Sequence, residues 1–381
     1  MAFTGLESEI KPLSAIRYFI NNKKKSFSMA GAIAVSVLMM MVFQIIFYSV
    51  TESGRMAYSG DLKHMTVVLP GDSGVIGQSV LKEIAESPHV EKTIPMLVES
   101  TDYYHFFGNL NIPVYSVDSK ALKYVIDSLG LELKAGRLPG EDSQEIALDE
   151  RTMKNSGKVL GDYIGREVNA NENLSGKRKI VGVLKGDGLI GLAAVNGTSL
   201  SEKTGLMVFA KSGRLDSLNK ELAEAEEGAA KILTKEYGDN VFKEDIKMMS
   251  ELSSMIVMVV IFIMSFVAGN SSYAQYFSRK YEFGLLLALG YSRAKILLRA
   301  GREIFISSII GFILGLILVL AANTGLKLLI FDPKGYPFVL LQLEGLAKAL
   351  IIPVCTAVFS LIPAWWTLSH IDQIEVIEKF E

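Results

Sequence analysis

Long apolar runs alternate along the chain with mixed stretches in which polar residues and short β-branched segments predominate. A helix needs about 20 largely apolar residues to cross the hydrocarbon core of a bilayer. The first such run, 27–50, contains no charged residue, and its length and position exclude a cleaved signal peptide. The hydrophobic pattern predicts transmembrane helices at 27–50, 251–277, 304–322 and 346–368.

Lysine and arginine are distributed unevenly between these predicted helices. They are frequent in the segments 1–26 and 278–303, whereas the loop 323–345 contains only two lysines. Because cytoplasmic loops carry an excess of basic residues, we expect 278–303 and both termini, including the tail 369–381, to lie in the cytoplasm. The segment 51–250 and the loop 323–345 would then be extracytoplasmic, in a multi-pass protein of the inner or cytoplasmic cell membrane.

The segment 51–250 has the pattern of a folded domain that contains both strands and helices. Short β-branched runs predict strands at 64–69, 92–100, 112–118, 144–150, 179–185 and 205–211. Apolar residues at helical spacing predict helices at 77–87 and 215–237, the second leading towards the second transmembrane helix. The glycine-rich stretch 186–197 is expected to be a surface loop; a mobile loop that meets a substrate or partner is the alternative. We therefore predict an α+β domain between the first and second transmembrane helices.

Candidate chemistry is sparse in this chain of 381 residues with a formal net charge of −2. Its balanced charge excludes a globally basic nucleic-acid-binding protein. A single cysteine, Cys355, excludes an internal disulfide and a cysteine-based metal site. The stretch 71–79 is glycine-rich but lacks the lysine of a phosphate-binding loop, so we interpret it as a turn before a helix. We expect neither catalysis nor a metal site in this chain.

Two basic segments are expected to lie at the cytoplasmic face of the membrane. In 1–26, apolar residues at helical spacing stand beside lysines, which predicts an interfacial amphipathic helix; a solvated basic lead-in is the alternative. In 278–303 we predict a helix, a turn at Gly290 and a second helix that continues into the third transmembrane helix. The first of these helices would either dock into a groove of a cytoplasmic partner or rest on the bilayer. Arg299 and Arg302 would bind lipid headgroups.

The stretch RKYEFGLLLALGYSRAKI, residues 279–296, resembles the signature of FtsX-like permeases of MacB-type ABC transporters. Other stretches that resemble this family lie at 13–27, 79–97, 133–150 and 157–165. The tail resembles the family's closing helix but has Gln373 and Glu378 in place of a proline and a basic residue. The resemblance implies that an ATPase docks on a coupling helix whose residues are Arg279, Lys280, Glu282, Phe283, Gly284, Leu286, Leu287, Leu289 and Gly290.

The resemblance also implies a fold and a set of partners. The fold is a membrane protein of four transmembrane α-helices, with an α+β MacB-like periplasmic-core-type domain outside the cell membrane between the first and second. Because the chain has no G-x-x-x-x-G-K-[ST] loop, ATP and Mg would bind to a separate cytoplasmic ABC ATPase, and this chain would bind no cofactor. Further expected partners are a second permease copy, in a homodimer or a related heterodimer, the lipid bilayer and an extracytoplasmic accessory protein. Nucleic acid is not expected.

The implied function is that of a non-enzymatic permease subunit that couples ATP hydrolysis by its partner to movement of the extracytoplasmic domain, a mechanism called mechanotransmission. We expect it to serve export or extraction of a hydrophobic, peptide or lipoprotein substrate, as in efflux. The alternative is a non-transporting FtsX-like regulator that activates an extracytoplasmic cell-wall hydrolase or signals to a sensor kinase. A stand-alone receptor or channel without an ATPase is a third hypothesis.

Overall fold

The structure, a computed structural model, describes residues 23–141, 144–195, 205–223 and 229–370. The chain divides into two compact units. We call the described residues of 1–45, 251–325 and 339–381 the helical unit, and those of 46–250 and 326–338 the sheet unit. Most of the predicted interfacial helix at 1–26 and all of the tail beyond His370 lie outside the described residues.

In the sequence, long helices precede the first strand and follow the last one. The helices are α1 (Lys23–Ser59), α2 (Gln78–Glu86), α3 (Leu122–Ser128), α4 (Glu150–Asn155), α5 (Leu215–Ala223), α6 (Lys235–Phe277), α7 (Lys280–Ala288), α8 (Arg293–Leu326), α9 (Leu343–Ala349) and α10 (Ile351–Ser369). A π-helical stretch, Lys327–Phe331, and a short helical turn, Asp332–Lys334, continue α8.

Four helical stretches of the described chain are long and apolar enough to cross a membrane. They are Met29–Ser59, Ser250–Phe277, Arg293–Lys334 and Leu343–Ser369. Each of the four predicted transmembrane segments falls on one of these stretches, because a run of about 20 apolar residues is a strong helical signal by itself. The number of crossings and their orientation stay predictions.

Within the helical unit, α8 packs closely against α1 because two glycines of α8 leave room at the contact. A Cβ atom at Gly311 would lie 2.7 Å from the carbonyl oxygen of Ala30, and one at Gly315 would lie 2.8 Å from Cβ of Val37. Small residues allow such close approach of helices in a membrane, where van der Waals packing holds helices together. Gly311 and Gly315 are four residues apart and therefore share one face of α8.

The sheet unit is organised around a sheet that has ten strands in the described residues, in the order β10-β1-β9-β2-β3-β8-β5-β7-β4, with β6 paired to β7. The strands are β1 (Thr66–Pro70), β2 (Val90–His105), β3 (Gly108–Asp118), β4 (Glu132–Gly136), β5 (Glu145–Asp149), β6 (Tyr163–Ile164), β7 (Arg178–Lys185), β8 (Gly191–Val195), β9 (Gly205–Ala210) and β10 (Ala230–Leu233). Two pairs, β3–β8 and β5–β7, are parallel and the others are antiparallel. The sheet is therefore mixed, as an α+β domain requires, and the six predicted strands match β1, β2, β3, β5, β7 and β9.

The central strands are buried on both faces of the sheet. Successive side chains of a strand point to opposite faces. In β5, Ile146 and Leu148 belong to one buried cluster with Ile180, whereas Ala147 between them belongs to another cluster with Leu192. Apolar side chains thus cover both faces, which explains why β5 contains a continuous apolar run instead of an alternating one.

Two expectations within the domain are wrong. The stretch 186–197 was expected to be a surface loop, but it contains β8, which lies between β3 and β5 and is buried from Gly191 to Ala194. The predicted helix at 215–237 ends as α5 at Ala223, and β10 follows it, antiparallel to β1. In both cases pairing with a distant strand overrides the local pattern, because backbone hydrogen bonds of a strand come from its neighbours.

Residues 326–338, predicted as part of a short loop, belong to the sheet unit. The Tyr103 hydroxyl donates to the carbonyl oxygen of Gly335 at 2.9 Å, and Nδ2 of Asn155 donates to the carbonyl oxygen of Lys334 at 3.2 Å. Gly335 has a φ of +66°, and a Cβ atom there would lie 2.4 Å from the carbonyl oxygen of Arg151. Only glycine suits both this backbone conformation and this close approach.

Candidate functional site

The segment between α6 and α8 is the candidate functional site, and α7 is its central element. Its C-terminal end is a Schellman motif: the N–H of Tyr291 donates to the carbonyl oxygen of Leu286, and the N–H of Gly290 donates to that of Leu287. Gly290 has a φ of +88°, which glycine adopts at little cost. The turn predicted at Gly290 is therefore present, and α8 starts three residues later and continues without a break to Leu326.

Most apolar side chains of α7 are used inside the helical unit. Phe283, Leu286 and Leu287 are buried and belong to the core cluster formed with α1, α8 and α10. Leu285 and Leu289 point the other way, with 52% and 67% of their surface exposed. Phe283, Leu286 and Leu287, which were predicted as docking residues, therefore hold α7 in place with their side chains, and partner docking on this segment stays a prediction.

Two arginines and two glutamates tie α7 to the first turns of α8. Arg279 Nη1 donates to Glu303 Oε2 at 2.7 Å, and its Nε donates to Glu282 Oε2 at 2.7 Å. Arg299 Nε donates to Glu303 Oε1 at 3.1 Å, and its Nη2 donates to Glu282 Oε1 at 2.9 Å. Each carboxylate therefore accepts from both guanidinium groups. We call these four residues the charge cluster.

The charge cluster is shielded from solvent, so its charged side chains rely on one another, and not on water, for hydrogen bonds. Arg279, Arg299 and Glu303 are each less than one-tenth exposed, and only Glu282 is half-exposed. Burial by itself would lower the pKa of Arg279, but its hydrogen bonds to Glu282 and Glu303 raise that pKa above the ordinary value. Burial would raise the pKa of Glu282, but Arg279 and Arg299 hold it below its usual range. Arg279 and Glu282 therefore stay charged at neutral pH.

The remaining predicted docking residues have different surroundings. Lys280 has its Nζ 5.6 Å from the ring centre of Phe277 and 5.2 Å from that of Tyr281, which is the range of cation–π contact. Gly284 is buried within α7. Among the described residues, no group of three or more His, Cys, Asp or Glu side chains could hold a metal ion.

Three residues of this site were not identified from the sequence as site residues. Leu285 is exposed beside Leu289, and the spacing of four residues was a signal for a shared helix face. Arg299 and Glu303 were also four residues apart with opposite charges at the start of an apolar helix. Arg299, expected to bind lipid headgroups, is instead buried in the charge cluster, because two carboxylates within reach offer stronger hydrogen bonds than solvent.

A protein-family model matches the segment of the chain that contains the candidate site. Residues 254–373 match the family model described as FtsX-like permease C-terminal. This segment contains α7, the whole charge cluster, the third and fourth apolar stretches and most of the second. The match to the family model confirms the resemblance to FtsX-like permeases seen in residues 279–296. No curated protein matches the chain.

Two solved structures are each similar to just under half of this chain. One is the periplasmic region of MacB from Actinobacillus actinomycetemcomitans, with 16% identity, a TM-score of 0.27 and coverage of 49% of this chain and 94% of that one. The other is the extracellular domain of the noncanonic ABC-type transporter YknZ from Gram-positive bacteria, with 14% identity, a TM-score of 0.27 and coverage of 45% and 98%.

Proposed function

We propose, from the match of residues 254–373 to the family model of the FtsX-like permease C-terminal region, that the chain is the membrane subunit of an ABC transporter of MacB type, driven by a separate cytoplasmic ATPase. The observation that carries the proposal is the construction of α7. One side of this helix is anchored in the helical unit, and the other side presents Leu285 and Leu289 to solvent. An exposed apolar pair on a fixed helix suits docking into a groove of a partner.

The docking surface proposed here is smaller than the predicted one. It consists of Leu285 and Leu289, one turn apart, with Lys280 near the start of the same helix. Burial of two leucine side chains in a partner groove supplies up to about 3–6 kcal/mol before the costs of association. The lysine adds charge that orients the partner more than it adds affinity. The buried residues Phe283, Leu286 and Leu287 act indirectly, by keeping α7 in position.

Mechanotransmission is the mechanism that this construction supports. A force on α7 reaches α8 through the charge cluster, because Arg279 and Glu282 belong to the α7 segment and Arg299 and Glu303 belong to α8. Two other helices, α1 and α6, each contribute residues to both the helical unit and the sheet unit. A displacement at the cytoplasmic end of these helices would be carried along them to the sheet unit, where a hydrophobic, peptide or lipoprotein substrate would be moved.

The test of docking uses the complete chain together with its ATPase. Leu285→Glu with Leu289→Glu is expected to abolish co-purification of the ATPase and its stimulated ATP hydrolysis, while the permease remains folded in the membrane. Leu160→Glu is the matched control, because Leu160 is an exposed leucine of the sheet unit. Normal binding and hydrolysis in the double variant would show that α7 is not the docking site. Loss of binding in the control as well would show that the effect is nonspecific.

Orientation is tested by labelling single cysteines from outside the cell. Cys355→Ser provides a background without cysteine, since Cys355 is the only one in the chain. A membrane-impermeant maleimide should label Lys120→Cys, in the sheet unit, in intact cells, and should label Lys295→Cys, at the start of α8, only after the cells are opened. Both lysines are exposed. Labelling of Lys295→Cys in intact cells would contradict the proposed orientation.

A further inference from the structure

The turn between β2 and β3, residues 105–108, carries two exposed phenylalanines. Phe106 is 40% exposed and Phe107 is 59% exposed, and Gly108 closes the turn with a φ of +138°. The part of an apolar side chain that faces water gains no burial free energy from the fold. Adjacent aromatic residues at the tip of a hairpin therefore indicate a surface that something apolar covers.

The turn lies against two helices that are apolar enough to cross a membrane. Nε2 of His105 lies 3.4 Å from Oγ of Ser49, which is near the end of the first predicted transmembrane segment, 27–50, and within the first apolar stretch. The ring of Phe106 lies 5.9 Å from that of Phe331, near the end of the third apolar stretch. Tyr336 bridges the two contacts, with its ring 4.5 Å from that of His105 and 4.9 Å from that of Phe106.

Exposed leucines continue the same apolar surface next to Phe331. Leu328 is 63% exposed and Leu329 is 80% exposed, in the π-helical stretch that follows α8. The third predicted transmembrane segment ends at residue 322, so these leucines lie about 10 Å farther along the helix axis. Side chains at this distance lie close to the outer limit of the headgroup region, which extends roughly 5–8 Å beyond the hydrocarbon core on each side.

The turn also lacks the charges that would keep it out of a membrane. Residues 103–113, YYHFFGNLNIP, contain no Asp, Glu, Lys or Arg. His105, the one titratable residue of the turn itself, has a pKa lowered to about 4 by burial, so its ring is neutral at physiological pH. Its Nδ1 accepts from the backbone N–H of Phe106 at 2.8 Å, which a neutral ring allows.

From these contacts we infer that the 105–108 turn is a membrane-binding element, with Phe107 inserted among the lipid headgroups of the outer leaflet. The occupant of this surface is lipid because the turn contacts the end of the first predicted transmembrane segment, at Ser49, and the helical continuation of the third, at Phe331, next to which the bilayer surface must lie. An aromatic side chain at this level anchors a protein in the interface. The inference rests on the membrane crossing of α1 and α8 but not on the docking of an ATPase.

The test is depth-dependent quenching of a single tryptophan in the full-length protein. Trp365→Phe with Trp366→Phe removes the two native tryptophans, and Phe107→Trp then introduces the probe. The protein is reconstituted into phosphatidylcholine vesicles that carry bromine at a shallow or a deep position of the acyl chain. We expect shallow bromine to quench Phe107→Trp several-fold more strongly than deep bromine.

Two further probes make the result decisive. Ile313→Trp, at an exposed position in the middle of α8, should be quenched best by deep bromine. Lys82→Trp, on α2 in the sheet unit, should not be quenched at all. Quenching at Ile313 without quenching at Phe107 would overturn the inference and leave the membrane crossing of α8 intact. Unquenched but blue-shifted emission of Phe107→Trp would also overturn it, because a protein surface would then cover the turn. Absence of quenching at both positions would overturn the membrane crossing of α8 together with the inference.

Discussion

Arg279 and Glu303 form a buried ion pair, with Nη1 of the arginine 2.7 Å from Oε2 of the glutamate. The pair connects the turn that precedes α7 to the first part of α8, across 24 positions of the sequence. It belongs to the charge cluster, in which Glu282 and Arg299 complete the hydrogen bonding. The relationship matters for function because it holds the proposed docking helix onto a helix that is predicted to cross the membrane.

Removal of one partner from the charge cluster should destabilise the helical unit. Arg279→Ala leaves Glu303 buried with only Arg299, and we expect a loss of about 3 kcal/mol in the free energy of unfolding. Glu303→Ala should have a similar cost. The measurement is thermal unfolding of the complete chain in detergent, with Lys295→Ala as the control because Lys295 is exposed.

The double variant Arg279→Ala with Glu303→Ala should be less unstable than the sum of the single variants, by about 1–3 kcal/mol. The physical reason is that neither charge is then left buried without its partner. Additive effects of the two substitutions would show that the pair contributes no coupling. An unaltered ATP hydrolysis in stable variants would argue against transmission of force through the charge cluster.

The two faces of α7 should respond differently to truncation. Phe283→Ala removes a ring that is 1% exposed, and we expect a loss of about 3–5 kcal/mol in stability because a cavity remains in the core. Leu285→Ala should change stability by less than about 0.5 kcal/mol, since the side chain is largely in solvent, but should weaken ATPase binding. Thermal unfolding and co-purification separate the two effects. A strong destabilisation by Leu285→Ala would mean that α7 packs differently.

A larger side chain at Gly311 or Gly315 of α8 should push this helix away from α1. Gly315→Val would place methyl groups against Val37, whose Cβ already lies 2.8 Å from the expected Cβ position, and we expect a loss of about 2–3 kcal/mol. Gly325→Ala is the control on the same helix, because a Cβ atom there meets nothing within 4 Å. It should be neutral or slightly stabilising, since alanine favours helix. Equal stability of both variants would contradict the close packing.

The stability of the protein should depend on His105 in mildly acidic solution. Burial lowers the pKa of His105 in the folded protein from 6.5 to about 4. The unfolded chain therefore binds a proton first, so this contribution to stability is complete above pH 6.5 and decreases as the pH falls towards 4. We expect a loss of about 2 kcal/mol, allowing for partial solvent screening.

The variant His105→Phe isolates this contribution. Other groups also titrate in the same range: burial raises the pKa of Asp149 to about 6, which contributes a pH dependence of the opposite sign. Comparison of unfolding temperatures of the two proteins between pH 7 and 4.5 removes such shared contributions. The native protein should lose more stability than His105→Phe over this range. Parallel curves would show that His105 is solvated in the folded state.

The apolar segments, the strand positions and the break at Gly290 follow from local sequence. A run of about 20 apolar residues, a β-branched run between turns and a glycine after a helix each predict one structure without knowledge of the rest of the chain. The motif at 279–296 also predicted the match to the family model of FtsX-like permeases. Both errors in the domain, at β8 and β10, concern strands whose partners are distant in sequence. Strand pairing is a property of the sheet, and no local pattern reports it.

Tertiary structure alone decided which side of α7 is free. From the sequence, Phe283, Leu286, Leu287 and Leu289 were equivalent apolar residues on one helix, and Arg279 and Arg299 were equivalent basic residues near a membrane. Packing buries Phe283 and exposes Leu285, and it brings Arg279 within hydrogen-bond distance of Glu303. Periodicity specifies the faces of a helix, but the neighbouring helices determine which face is covered and which charges meet. The sequence by itself therefore determined the elements and predicted the match to the family model, and the tertiary structure determined which side of α7 is exposed.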